Sequence, residues 1–259
     1  MKYFRLLYKY LCHFFTAKHT RGHGVHSPFV FNFTTFVLYA PSTFYTFKTI
    51  EQQRSRLLKD TCRISVSDFG TGKNRESAIK KEARRSLKSA KYGQLFFRII
   101  NYYGFRNVLE LGTSFGITTA YMASVSQALR CTSIEACPQT ARRARMLFDE
   151  LSLQNVNLIE GDIDSVLPDE LQVAAKYDFV FLDANHRYEA LLRYFEQIVP
   201  HMKDNSILIV DDLYWSSDME KAWSVIKEHP QVRATIDLFQ IGIVFFNSDL
   251  NKKHYKMRY

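Results

Sequence analysis

The stretch Asn107-Val-Leu-Glu-Leu-Gly-Thr-Ser-Phe-Gly116 constrains this 259-residue chain more than any other. Val108, Leu109 and Leu111 predict a short buried strand, which Gly112 breaks. Thr113 and Ser114 can then cap a helix that begins at Ile117. A strand, a glycine turn and a helix N-terminus make an electropositive cradle with free N–H groups. Glu110, at the strand end, is expected to aim a carboxylate into the same crevice. Many α/β proteins carry Gly-x-x-x-Gly, so Gly112 and Gly116 gain their weight from the strands and acidic strand ends that recur at regular intervals after them.

Strands are predicted at 107–111, 131–135, 156–160, 177–182, 206–210, 232–238 and 241–246, with helices near 114–128, 138–151, 163–175, 186–202 and 217–228. This alternation means a parallel sheet with helices on both faces. Only Phe239-Gln240 joins the last two strands, which must therefore pair as an antiparallel hairpin. Five parallel strands followed by a hairpin differ from the six parallel strands of a dehydrogenase. Gly112-Thr-Ser-Phe-Gly116 also lacks the Gly-x-Gly-x-x-Gly of nicotinamide binders.

Ligands of an open parallel sheet sit beyond the carboxyl ends of its strands. The second strand ends at Glu135, 23 residues after Gly112, where a carboxylate can accept hydrogen bonds from both hydroxyls of a ribose. The third ends at Glu160-Gly-Asp-Ile163, where Asp162 can accept from an exocyclic amine and Ile163 can cover a purine face.

Before residue 107 the chain differs in charge. Residues 1–90 hold 17 Lys/Arg against 5 Asp/Glu, whereas the remainder is slightly acidic and the whole carries +9. Either a basic arm for an acidic partner or a solvated lysine-rich helix surface accounts for this. Met1 to Phe15 is too interrupted by Arg5, Lys9 and His13 to be a signal peptide. It fits an amphipathic helix, lying on a membrane surface or packed on the body. Ser27-Pro28 should open a buried helix over Phe29–Leu38, and further helices are expected over Ile50–Lys59, Glu76–Lys88 and Tyr92–Tyr103. His19, His23 and His26 lack acidic or sulfur partners at finger-like spacing, and the glycines among them indicate a connecting loop. Ser67–Asn74 reads as a loop; its Gly70-Thr-Gly-Lys73 lacks the spacing of a phosphate loop. Four scattered cysteines suit a reduced, cytoplasmic protein, and no apolar run approaches the ~20 residues of a membrane span.

The ordered set Glu110-Leu-Gly-Thr-Ser-Phe-Gly116, Glu135 and Gly161-Asp-Ile163 resembles the class I S-adenosylmethionine-dependent methyltransferases. The closer likeness is to the cation-dependent O-methyltransferases of the catechol and caffeoyl-CoA type. It rests on Gly93-Gln94, Phe181-Leu-Asp-Ala-Asn-His186 and Val210-Asp-Asp-Leu-Tyr-Trp215, and covers about residues 91–247. The resemblance implies an α/β, Rossmann-like seven-stranded mostly parallel sheet with a C-terminal antiparallel hairpin. Residues 91–259 would form the methyltransferase domain, and residues 1–90 a helical extension covering the site.

On this resemblance S-adenosylmethionine is the cofactor, held by Glu110, Gly112, Thr113, Ser114, Gly116, Glu135, Asp162, Ile163 and Asp183. Asp183, Asp211 and Asp212 supply hard oxygen ligands for Mg²⁺ or another divalent cation. Asp183 and His186 are the catalytic candidates, His186 standing where the family has a lysine base. Asp212 replaces the family's usual Asn. The alternative is that Asp211 and Asp212 cap the next helix while Asp183 binds the cofactor's methionine end or the substrate. A small hydroxylated or aromatic methyl acceptor is expected. The competing readings are an RNA methyltransferase using the basic arm and a non-catalytic or membrane-associated scaffold. The oligomeric state stays open, a homodimer included.

Overall fold

The computed structural model describes residues 2–68 and 73–259. Apart from the backbone of Lys73, the Gly70-Thr-Gly-Lys73 stretch lies outside the described residues. In chain order the elements are α1 Lys2–Thr16, α2 Pro28–Phe33, α3 Tyr45–Leu57, β1 Arg63–Asp68, β2 Lys73–Ala78, α4 Ile79–Ser86 and α5 Ala90–Tyr103. There follow β3 Asn107–Leu111, α6 Ile117–Ala123, β4 Arg130–Glu135, α7 Pro138–Glu150, β5 Val156–Glu160, α8 Ile163–Val173 and β6 Tyr177–Leu182. The chain ends with α9 Tyr188–Ile198, β7 Met202–Asp211, α10 Ser217–Glu228, β8 Ala234–Asp237, β9 Ile241–Phe245 and β10 Lys253–Lys256. Two compact units result, Pro41–Ala175 and Met1–Ala40 with Lys176–Tyr259.

In the unit Pro41–Ala175, β3, β4 and β5 pair in parallel, with Leu109 opposite Thr132 and Ile134 opposite Ile159. α5 buries Leu95, Phe96, Ile99 and Ile100 completely and stops where Gly104 adopts φ 64°, a left-handed cap. The expected loop over 67–74 is corrected at its described ends, where 67–68 and 73–74 belong to strands while 69–72 lie outside the described residues, and the expected helix over 76–88 is shortened. β1 and β2 form an antiparallel hairpin, and only residues 79–86 are helical. Pairing overrides the helical composition of Glu76-Ser-Ala-Ile, because the Ile79 N–H donates to Cys62 O at 2.9 Å and the Lys80 N–H to Asp60 O at 2.8 Å. Ile64, Ile79 and Ala83 then close a small core with Phe115.

In the other unit, β6 and β7 are parallel, β9 runs antiparallel to both β7 and β8, and β10 lies parallel to β8. All seven expected strands exist, and β10 is an eighth. Its Lys253-His-Tyr-Lys256 sequence buries only Tyr255 and so carries no apolar alternation to read. Ser27 caps α2 by accepting from the Val30 N–H, as Ser27-Pro28 predicts. The Phe29–Leu38 helix is α-helical only to Phe33; residues 34–38 widen into a π-turn. That segment is not wholly buried, since Phe31 and Phe36 are exposed while Phe33 packs edge-on against Phe245.

Gly93 of α5 faces the buried ring of Tyr121 in α6. A Cβ there would stand 2.4 Å from Tyr121 Cδ2. Alanine gains up to about 1 kcal/mol in helix propensity, but overpacking a buried ring costs about 1–3 kcal/mol. Gly93→Ala should therefore lower the thermal unfolding midpoint by several degrees; an unchanged or raised midpoint would contradict this packing.

Candidate active site

The glycine turn after β3 is held from below. Gly112 has φ 97°, and its N–H and that of Thr113 both donate to Ile134 O of β4. Gly116 has φ 80°, and a side chain there would strike Phe148 of α7 at 2.7 Å. Glycine is thus required at Gly116 by both backbone and space.

Glu110 is not a carboxylate exposed to the crevice. It is fully buried, and Oε2 accepts from the hydroxyls of Thr119 and Ser133, the latter at 2.6 Å. Ser133 Oγ lies 2.5 Å from Thr113 Oγ1. Glu110 therefore ties β4 and α6 together beneath the turn.

Glu135 is the last residue of β4. Oε2 accepts from the Ser114 N–H at 2.7 Å and Oε1 from the Cys137 N–H at 2.9 Å. A carboxylate oxygen accepts more than one hydrogen bond, so these amides do not bar further donors. Ser114 sits at φ 51°, and its hydroxyl donates to Ser86 Oγ of α4 at 2.7 Å. Asp162 precedes α8 with an extended backbone, and its side chain makes no cap bond to the helix. Ile163 beside it is buried.

The second constellation lies in the other unit, at the ends of β6 and β7. Asp183, His186 and Asp211 each offer a ligand atom, all within 4.8 Å of one another. His186 Nε2 is 3.6 Å from Asp183 Oδ1 and 3.4 Å from Asp212 Oδ2. Asp211 is almost fully buried, whereas Asp212 is turned by a φ of 52° and reaches His186. The gathered trio thus contains His186 where Asp212 was expected. Ser216, and neither Asp211 nor Asp212, caps α10 by accepting from the Met219 N–H. Two carboxylates and an imidazole form a mixed oxygen–nitrogen set that Mn²⁺ or a later transition ion accepts readily, whereas Mg²⁺ prefers oxygen ligands throughout.

Sequence reasoning gave no role to Thr119, Ser133 or Ser86, whose hydroxyls reach Glu110 or Ser114 only through the folded arrangement of α4, β3, β4 and α6. Asn185 was visible within the Phe181–His186 motif but without a task. It stands at φ 47°, and its amide oxygen is buried without a hydrogen-bond partner among the described residues. Left-handed non-glycine residues are uncommon, and here Ser114, Asn185 and Asp212 all occur in the loops after strands.

Residues 109–213 match the family model of a methyltransferase domain. Together with the parallel strands and terminal hairpin, this makes the fold that of the class I methyltransferases. Among solved structures, the chain is similar to the O-methyltransferase of Bacillus cereus in complex with S-adenosylhomocysteine, with TM-score 0.57 and 19% identity over 80% of this chain and 93% of that one. It is also similar to TomG of Streptomyces achromogenes, in complex with S-adenosylmethionine, with TM-score 0.59 and 15% identity over 85% and 95% of the two chains. A candidate caffeoyl-CoA O-methyltransferase of Staphylococcus aureus gives TM-score 0.57 and 18% identity over 64% and 88%. Curated proteins yield no match.

The different bonding of Glu110 and Asp162 has a stability consequence. Glu110→Ala removes the acceptor of two buried hydroxyls and should cost about 2–4 kcal/mol. Asp162→Ala, with no cap bond to lose, should stay within about 0.5 kcal/mol of wild type. Denaturant unfolding of both variants tests this, and equal losses would contradict the assignment.

Proposed function

We propose that the protein transfers the methyl group of S-adenosylmethionine to a hydroxyl of a small hydroxylated or aromatic acceptor, with a divalent cation at Asp183, His186 and Asp211. The observation that carries this reading is the gathering of those three side chains within 4.8 Å after β6 and β7, in a chain with a matching methyltransferase domain. Two carboxylates so close repel one another unless a cation or proton intervenes. Asp212 Oδ2, 3.4 Å from His186 Nε2, adds a third carboxylate beside the trio. A divalent ion there would lower the pKa of a bound acceptor hydroxyl, so that its proton could pass to water and the oxyanion attack the sulfonium methyl carbon, with the C–S bond breaking and S-adenosylhomocysteine leaving.

The glycine turn supplies the cofactor's seat. Glu135 accepts from the ribose hydroxyls while retaining the amides of Ser114 and Cys137, Asp162 accepts from the adenine amine, and Ile163 lies against the purine. Methyl transfer needs oxygen, carbon and sulfur in line, so positioning accounts for most of the rate enhancement. Residues 1–90 serve as a cover to the 91–259 domain. Support for this comes from the β1–β2 hairpin and α4, where Ser86 bonds Ser114 and Ile64, Ile79 and Ala83 pack on Phe115.

Radiolabelled methyl transfer to a panel of catechols and related phenols tests the reading. Activity should disappear in chelator and return with Mg²⁺ or Mn²⁺, and Asp211→Asn should lose more than about 100-fold of the rescued rate. Full activity after thorough chelation would remove the cation and leave His186 as the base. No transfer to any hydroxyl acceptor, with transfer to RNA instead, would overturn the acceptor class.

A further inference from the structure

α1 is docked with its polar side inward. Arg5 and Lys9 both engage Glu220 of α10, Lys9 at 2.7 Å. His13, only 3% exposed, lies 3.1 Å from Asp237 at the end of β8. The opposite side presents Phe4, Leu7, Tyr8, Leu11 and Phe15, spaced by three and four residues and all exposed, Phe4 by 80% and Phe15 by 75%. Single exposed apolar residues are ordinary, but a continuous helical stripe of them marks an interaction surface. An amphipathic helix held only by its own domain turns this stripe to the core. Here the ion pairs with Glu220 and the contact of His13 with Asp237 fix the reverse orientation.

The surroundings of the stripe are basic. The Arg258 guanidinium stacks 3.9 Å over the Phe14 ring, and Lys256 Nζ lies 3.4 Å from Thr16 Oγ1. Exposed Lys18 follows the helix end. Residues 1–40 contain Lys2, Arg5, Lys9, Lys18 and Arg21 but no Asp or Glu, and residues 251–259 contain Lys252, Lys253, Lys256 and Arg258 with no acid. Aromatic and leucine side chains bordered by cations fit the boundary between acyl chains and anionic headgroups. A second copy of this chain would bring like charges together at the same border, which disfavours self-pairing.

We infer that α1 docks the protein on an anionic lipid surface, with Phe4, Leu7, Tyr8, Leu11 and Phe15 entering the acyl boundary and Lys18, Lys256 and Arg258 meeting lipid phosphates. The methyl-transfer reading plays no part in this, and either can fail alone.

Co-sedimentation of the full chain with vesicles tests it. The protein should bind phosphatidylcholine vesicles containing phosphatidylglycerol and bind pure phosphatidylcholine only weakly. Leu11→Ser/Phe15→Ser replaces exposed side chains, so the thermal unfolding midpoint should not move, while affinity for the anionic vesicles should fall about tenfold or more. Val173→Ser, an equally exposed apolar site far along the sequence, should bind as wild type does. Absence of binding to anionic vesicles would overturn the inference. Unchanged binding by the double variant would overturn it too, because charge alone would then explain the association. A dimer in sedimentation velocity that the same variant dissolves, without vesicle binding, would assign the stripe to a second copy.

Discussion

Burying a carboxylate is costly unless hydrogen bonds replace its water, and Glu110 meets that cost where the chain can least tolerate slack. Its side chain sits under the glycine turn and accepts from Thr119 at the start of α6 and Ser133 in β4. Three elements of Pro41–Ala175 are thereby fixed to one another at the place where the backbone takes left-handed turns at Gly112, Ser114 and Gly116. With the turn fixed, the Ser114 amide points at Glu135. A turn fixed in this way lowers the ordering cost of any ligand it receives.

The strands from Asn107 to Phe245 were legible because buried parallel strands are apolar runs bounded by glycine or acidic residues, and each run here is short and well separated. The positions of Glu135 and Asp162 were legible for the same reason, since both stand at or just after strand ends. Glu110 was misread because position alone says nothing about which way a side chain turns, and the hydroxyls that capture it come from elsewhere in the chain. The β1–β2 hairpin was hidden by Lys, Arg and Glu, whose helical preference yields to strand pairing and to Phe115. His186 could be seen as a base but not as a neighbour of Asp183 and Asp211, because that depends on the loop turning at Asn185.

Polar networks also decide how α1 is seated. Burial opposes ionisation of Asp237, yet hydrogen bonds from His13 and Tyr214 hold its carboxyl below the ordinary carboxylate range. Burial and the same carboxylate raise the Tyr214 phenol above its ordinary value. One carboxylate thus joins α1 to the loop after β7, and the basic inner face of α1 is used up in docking. An apolar stripe facing solvent is what remains.

The central claim is that the glycine turn and Glu135 form an S-adenosylmethionine site. Calorimetric titration of S-adenosylmethionine and S-adenosylhomocysteine into wild type and Glu135→Ala tests it most directly. The account predicts binding of both by wild type and a loss of about 1.5–3 kcal/mol, roughly tenfold to a hundredfold, on removing the charged acceptor. Absence of binding to the folded wild-type protein would contradict it.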